Sequence, residues 1–155
     1  LIGHNELVER CLFRSETVAR RLAGIRGAMA EHGMRFVAEE SCWEWEPHHG
    51  YELVSKLLGQ GPRPRALLCL NDRLAFGAYQ ALGEKGLSIP GDVSIVSFDN
   101  DELASYLRPG LTTIGLPHEE MGREAVAMLL SDAVPREVLV PMPITVRASV
   151  AAGER

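Results

Sequence analysis

The sequence lacks the excess of basic side chains that a protein needs to bind nucleic acid directly. Its 155 residues carry 16 lysines and arginines against 21 aspartates and glutamates, a net charge of -5. Because no basic cluster is present to neutralise phosphates, we expect no direct contact between this chain and DNA. No apolar run of about 20 residues and no signal peptide is found, so we expect no membrane insertion and a cytoplasmic location.

Cysteine is also scarce, and its pattern argues against a metal site. Cys11, Cys42 and Cys69 are odd in number and lack the spacing of metal ligands. Cys69 lies in an apolar run and is predicted to act as a small buried hydrophobe, which suits a reducing compartment. What the chain does have is 46% hydrophobic residues, enough to fold a domain of this length around a core.

The motifs of several enzyme classes are absent as well. No nucleophile elbow and no P-loop occurs. The segment 59–61 is no dinucleotide fingerprint, because it precedes a predicted strand and Pro62 blocks the helix that should follow. His48 and His49 are adjacent, and no histidine stands four positions after His118, so no zinc-binding helix forms. We therefore predict that the chain is not an enzyme and needs no cofactor.

Hydrophobic periodicity alternates between helix and strand along the chain. Helices are predicted over 16–32, around Tyr51 to Leu58, over 73–85, over 101–107 and from Pro117 onward. Strands are predicted over 34–40, 66–70, 93–98, 111–116 and 144–150. Repeated strand–helix–strand units indicate an α/β fold, a parallel sheet flanked by helices on both faces.

Three details of this scheme concern packing. Asp72 is predicted to cap the helix over 73–85. The helix after Pro117 is predicted to bury one face, made of Met121, Ala125, Met128 and Leu129. The last strand is predicted to bury its apolar alternation, made of Ile144, Val146, Ala148 and Val150.

Polar side chains follow two apolar strands at the point where each strand ends: Asn71-Asp72 and Asp99-Asn100-Asp101. Ligands of open α/β sheets bind outside these carboxyl ends. With Arg21 from a helix and Trp45 from a loop, such a set suits a neutral polyhydroxylated ligand, because carboxylate, amide and guanidinium groups pair with hydroxyls and an indole covers C–H surface.

Each of these residues also has a purely structural interpretation. Asp72 could serve only as a helix cap and Asp99 only as a solvated turn residue. Arg21 could be one more solvated helix residue, and Trp45 could cover the edge of the core. A different functional alternative is an enzyme that holds Mg²⁺ between Asp99 and Asp101.

An ordered series of motifs runs through the chain: Arg21-Leu22-Ala23-Gly24, Asn71-Asp72, Asp92-Val93-Ser94, Phe98-Asp99-Asn100, Leu111-Thr112-Thr113, Met121-Gly122 and Arg147-Ala148-Ser149. From about Thr17 to Ser149 this series resembles the ligand-binding domain of the lactose/galactose repressor (LacI/GalR) family of transcription regulators. The resemblance implies a periplasmic-binding-protein-like (type I) core, in which two subdomains close around a sugar, nucleobase or similar effector.

The resemblance also implies roles for individual residues. Arg21 and Asp99 would grip the effector, Asn71 would add a polar contact, Trp45 an aromatic wall, and Asp72 a weaker contact or a cap. A homodimer interface would include Leu74, Phe76, Leu103, Tyr106 and Leu107.

Compared with that family, residues 1–155 would be the carboxy-terminal portion of the effector domain, without the DNA-binding helix-turn-helix and most of the first subdomain. The chain would then reach DNA only through the missing domain, and it would regulate transcription allosterically. Alone, it would form an oligomer that covers the face of Met121, Ala125 and Met128. The alternative is a periplasmic sugar-binding protein of a transporter, which shares the fold.

Overall fold

The computed structural model describes residues 1–4, 16–131 and 136–152, so Cys11 lies outside the described part. Its strands are β1 (Ile2–His4), β2 (Glu40–Ser41), β3 (Ala66–Leu68), β4 (Ser94–Asp99), β5 (Thr112–Gly115) and β6 (Ile144–Thr145). Its helices are α1 (Glu16–Glu31), α2 (Pro47–Gln60), α3 (Asp72–Glu84), α4 (Leu103–Tyr106) and α5 (His118–Leu129). Of the predicted strand over 34–40, only its last residue is in a strand.

The sheet is parallel as predicted except at its last strand, which makes it mixed. β4 runs parallel to β3 and β5, while β6 pairs antiparallel with β5. The chain leaves β5 at Gly115 and returns beside the same residue, where the amide of Gly115 donates to the carbonyl of Pro143. A segment that re-enters a sheet at the end it left must run in the opposite direction. β1 and β2 form a parallel pair, which a bridge between Ile2 and Cys69 joins to the end of β3.

Helices cover both faces of the sheet, as predicted. Leu67 and Cys69 point into a cluster with the helices α2 and α3, whereas Leu70 points into a second cluster with Leu22 of α1 and with Phe98. Successive side chains of a strand face opposite sides, so one apolar run serves two cores. Each fully buried large aliphatic side chain contributes about 1.5–3 kcal/mol.

The amino terminus of α3 differs from the prediction by one residue. Asn71, in extended conformation, is the cap, and its Oδ1 accepts from the backbone N–H of Leu74 at 2.8 Å. Such a cap is worth about 1 kcal/mol. The prediction of Asp72 as the cap is wrong, because its carboxylate turns into the sheet instead. At the other end, Gly86 adopts φ +67° just after the helix, as the predicted stop requires.

The predicted burial of α5 is wrong for the described part of the chain. No side chain of α5 is buried there; Met121 is 47% and Leu129 83% exposed, and Ala125 is exposed as well. Met128 is only partly buried. The helix itself forms as its apolar spacing predicts, but no element within the described ranges packs over its apolar face.

The carboxy-terminal segment alternates as predicted, but with the opposite face inward. Ile144, Val146 and Val150 are exposed, as is Ala148, while Ser149 is fully buried. The polar face lies inward because its side chains supply hydrogen bonds to backbone groups of the sheet. Ser149 Oγ accepts from the amide of Thr112 at 2.8 Å and donates to the carbonyl of Ile95 at 2.6 Å. Two buried backbone groups would otherwise lack partners, at a cost of about 1–3 kcal/mol each.

None of the described helices combines the length and the apolar composition that crossing a bilayer requires.

Candidate ligand-binding site

Arg21 reaches the carboxyl edge of the sheet from α1. Its Nη1 donates to the carbonyl of Leu70 at 2.6 Å, and its guanidinium carbon lies 4.3 Å from the centroid of the Phe98 ring. Burial lowers the pKa of Arg21, and the nearby negative charge of Asp99 opposes that shift. The guanidinium is therefore held in one place by a carbonyl and a ring face rather than moving in solvent.

Asp99 ends β4 beside Arg21 and remains partly exposed. Burial raises the pKa of Asp99 to about 6; Asp72 and Asp101 act in the same direction, and Arg21 and His118 oppose it. Its backbone adopts φ +111°, and Asn100 follows at φ +57°. Two successive non-glycine residues with positive φ are costly and persist only where surrounding contacts hold them.

Trp45 and Asn71 lie at the same edge and are joined to each other. Asn71 Nδ2 donates to the carbonyl of Trp45 at 3.1 Å, and the Trp45 indole N–H donates to the carbonyl of Gly3 at 2.9 Å. The indole packs against both hydrophobic clusters. Both residues thus have structural partners, and a contact of either with a ligand remains a prediction.

Asp72 is fully buried, which corrects its prediction as a ligand contact. Its Oδ1 accepts from the hydroxyls of Ser97 and Thr113, and its Oδ2 accepts from the backbone N–H of Asp101 at 2.7 Å. With every bond made to protein, the carboxylate has no surface to offer a ligand. As for the Mg²⁺ alternative, no three His, Cys, Asp or Glu side chains converge as a metal site anywhere in residues 1–4, 16–131 and 136–152.

One residue predicted for the dimer interface is excluded. Leu74 is fully buried inside the chain, because its position on α3 faces α2 and the sheet. Leu103 and Tyr106 are 55% and 63% exposed, so they do offer apolar surface. Phe76 and Leu107 are half-buried against the core.

Sequence reasoning gave no role to Phe98, Thr113 or Arg147. Thr113 Oγ1 accepts from the amide of Asn100 at 3.2 Å, and Arg147 Nη2 donates to Asn100 Oδ1 at 2.9 Å. The available signal was the polar alternation of Thr145, Arg147 and Ser149. Such alternation indicates a strand face whose side chains form hydrogen bonds with backbone groups. Phe98 carried no signal beyond its place in an apolar run and in the motif Phe98-Asp99-Asn100.

A surface pocket of about 480 Å³ lies elsewhere, at the amino end of β4. Arg65, Asp92 and Ser94 contribute to its lining, and none of the predicted ligand residues does. Because ligands of open α/β sheets bind at the carboxyl ends of the strands, the edge of Arg21 and Asp99, and not this pocket, is the candidate site.

Asp99→Asn is expected to stabilise the protein above pH 6. The folded protein holds a proton on Asp99 up to about pH 6, whereas the unfolded chain releases it near the ordinary value of 3.8. The free energy of unfolding therefore falls as pH rises through this window, and asparagine removes that loss. The expected gain at pH 7.5 is on the order of 1 kcal/mol, less than the full shift implies, because solvent screens a partly exposed carboxylate.

Urea unfolding at pH 4.5 and pH 7.5 measures this effect on the parent chain and the variant. Glu119→Gln is the control, because it removes one charge from a side chain that is 89% exposed, whose surface ion pair with Arg123 contributes little. If the free energy of unfolding of Asp99→Asn depends on pH in the same way as that of the parent, the raised pKa of Asp99 is contradicted.

The fold and this edge define a class: an α/β ligand-binding domain of periplasmic-binding-protein type. Residues 3–150 match the periplasmic binding protein-like domain family. The chain belongs to that family, in the form found in the effector domains of LacI/GalR-type regulators.

Three relatives support this family membership. It is 38% identical to the HTH-type transcriptional repressor PurR of Escherichia coli over 97% of this chain and 46% of the repressor. A dimeric lac repressor superposes with a TM-score of 0.81 at 31% identity, covering 88% of this chain and 51% of the other. A sugar-binding regulator of the LacI family from Escherichia coli, complexed with phosphate, gives 0.80 at 30% identity, with 96% and 53% covered.

The chain spans about half the length of the curated relatives it matches. PurR and the lac repressor are transcriptional repressors, and the third relative is a transcriptional regulator, so these relatives support the regulator and not the transporter alternative.

Proposed function

We propose that this chain is the effector-binding and dimerisation part of a DNA-binding transcriptional regulator. A sugar or nucleobase-like effector binds at the edge formed by Arg21, Trp45, Asn71 and Asp99. Effector binding shifts the equilibrium between operator-bound and released states, with no chemistry on the ligand.

The observation that carries the proposal is the arrangement of Arg21 and Asp99. A guanidinium fixed by the Leu70 carbonyl and the Phe98 ring supplies directed donors beside a carboxylate that supplies acceptors. Donors and acceptors at neighbouring positions match the adjacent hydroxyls of a sugar or the polar edge of a nucleobase. The Trp45 ring, held by its bond to Gly3, suits the apolar face of such a ligand.

The remaining parts of the proposal concern partners. Leu103 and Tyr106 expose apolar surface that a second copy would cover, together with the half-buried Phe76 and Leu107. With a net charge of -5, operator contact falls to the helix-turn-helix of the whole regulator, of which these residues form the carboxy-terminal portion. Such a regulator works in the cytoplasm, and no cofactor is required.

Thermal unfolding with a ligand panel tests the proposal. Glucose, galactose and ribose form one group, and hypoxanthine and guanine the other. A ligand at 100 times its dissociation constant stabilises the fold by about 2.7 kcal/mol. For a chain of this size that corresponds to a rise in Tm of roughly 5–10 °C.

The control is the same titration on Asp99→Asn, which keeps the size of the side chain but removes its charge. We expect either the sugars or the nucleobases to raise the Tm of the parent. The same compounds should raise the Tm of the variant clearly less. If every compound leaves Tm unchanged at millimolar concentration, or shifts parent and variant equally, the proposed site is wrong.

A further inference from the structure

The buried carboxylate of Asp72 connects three parts of the fold. Asp72 is the first residue of α3, whose amino terminus Asn71 caps, so its backbone is fixed. Its Oδ1 accepts from Ser97 of β4 and from Thr113 of β5, the latter at 2.7 Å. Its Oδ2 accepts from the backbone N–H of Asp101, also at 2.7 Å. A fully buried carboxylate with three donors is rigid, because losing any of them would leave a charge poorly compensated.

The turn that follows β4 needs such a support. Asp99 and Asn100 both have positive φ, a conformation that costs non-glycine residues on the order of 1–3 kcal/mol each. Two of its amides are held by hydrogen bonds: the amide of Asn100 donates to Thr113 Oγ1, and the amide of Asp101 donates to Asp72 Oδ2. The carbonyl of Asp99 accepts separately from the amide of Leu116 at 3.3 Å. The Thr113 hydroxyl also donates to Asp72, which orients its oxygen toward Asn100. Both amide bonds therefore lead back to the same carboxylate.

We propose that Asp72 is a positioning residue for the ligand site: directly and through Thr113, its carboxylate holds the turn that aims Asp99 at the cleft beside Arg21. This rests on the proposed function for the role of Asp99. The positioning itself can be tested without any ligand.

Two hydroxyls on the same carboxylate oxygen provide the matched comparison. Thr113→Val and Ser97→Ala each remove one hydrogen bond to Asp72 Oδ1, but only Thr113 also bonds to the turn. The readouts are amide hydrogen exchange of Asn100 and Asp101, and the pKa of Asp99 by carboxyl NMR. We expect Thr113→Val to speed both exchange rates about fivefold to tenfold, equivalent to one lost hydrogen bond. The pKa of Asp99 should then move toward its ordinary value, and Ser97→Ala should leave both readouts near those of the parent.

Thr113→Ser separates the hydroxyl from the packing of the methyl group. It keeps the hydroxyl, so exchange in the turn and the pKa of Asp99 should return to parent values even if the fold is less stable. If Thr113→Ser behaves like Thr113→Val, or Ser97→Ala changes the turn equally, Asp72 merely stabilises the fold and the proposal is overturned. Should Thr113→Val fail to fold, exchange in the parent still decides. Amides of Asn100 and Asp101 that exchange as fast as in an unstructured peptide contradict the proposal, and protected ones support it.

Discussion

Gly77→Ala is expected to destabilise the protein by about 3 kcal/mol or more, or to prevent folding. Helices α2 and α3 cross with their backbones in contact, and Gly77 sits at that crossing. A methyl group there would overlap the carbonyl oxygen of Pro47 and the amide nitrogen of Tyr51. Both are backbone atoms at the start of α2, so a whole helix would have to move. With domain stabilities of about 5–15 kcal/mol, such a loss is a large share of the total.

Gly83→Ala on the same helix is the matched control. No atom beyond its own helix lies within 4 Å of the position a methyl group would take. Alanine is a better helix former than glycine, so this variant should gain about 0.5–1 kcal/mol. Urea unfolding followed by circular dichroism compares the two. If Gly77→Ala retains parental stability, α2 and α3 do not pack as closely as described.

Arg21→Met is expected to weaken binding of the ligand found in the panel about 100-fold, or roughly 3 kcal/mol. Methionine keeps an unbranched apolar stem and the helix propensity but loses every donor. The ligand would lose its charge-assisted bonds, and the carbonyl of Leu70 would lose its partner. The neighbouring Asp99 would also lose the positive charge that limits the rise of its pKa. Isothermal titration with the hit compound measures the change.

Arg26→Met, five residues along the same helix, is the control for this experiment. Arg26 pairs with Glu39 at 2.9 Å on the exposed surface. An exposed pair of this kind contributes about 1 kcal/mol at most and lies away from the carboxyl edge of the sheet. Affinity in Arg26→Met should equal that of the parent. Equal affinities for Arg21→Met and the parent would show that the ligand binds elsewhere.

The order of secondary structure was readable from the chain because it depends on local patterns. All five predicted helices and most strands occur within a few residues of their predicted bounds, since apolar spacing selects the helical or extended period. Asp99 was singled out by its place at a strand end, and Arg21 by its place on a helix. The structure brings both to one edge.

The errors have a common cause, because each required knowledge of a distant partner. Asp72 looks like a cap next to its helix, but Thr113, 41 residues away, makes it an internal acceptor. The face of Ile144 and Val146 looks like a core face, but the amide of Thr112 requires Ser149 inward. The apolar spacing of α5 correctly predicts a helix, but spacing alone does not show which element packs against its apolar face.

The sequence by itself determined the α/β class, the two apolar faces of the strands and the residue types at their carboxyl ends. These follow from hydrophobic period and turn chemistry, which act over a few residues. Only the tertiary structure decided the antiparallel β6, the close crossing at Gly77 and the hydrogen bonds that hold the turn after Asp99. Those depend on which backbone groups meet in space, and a buried polar group takes whatever partner the fold brings to it.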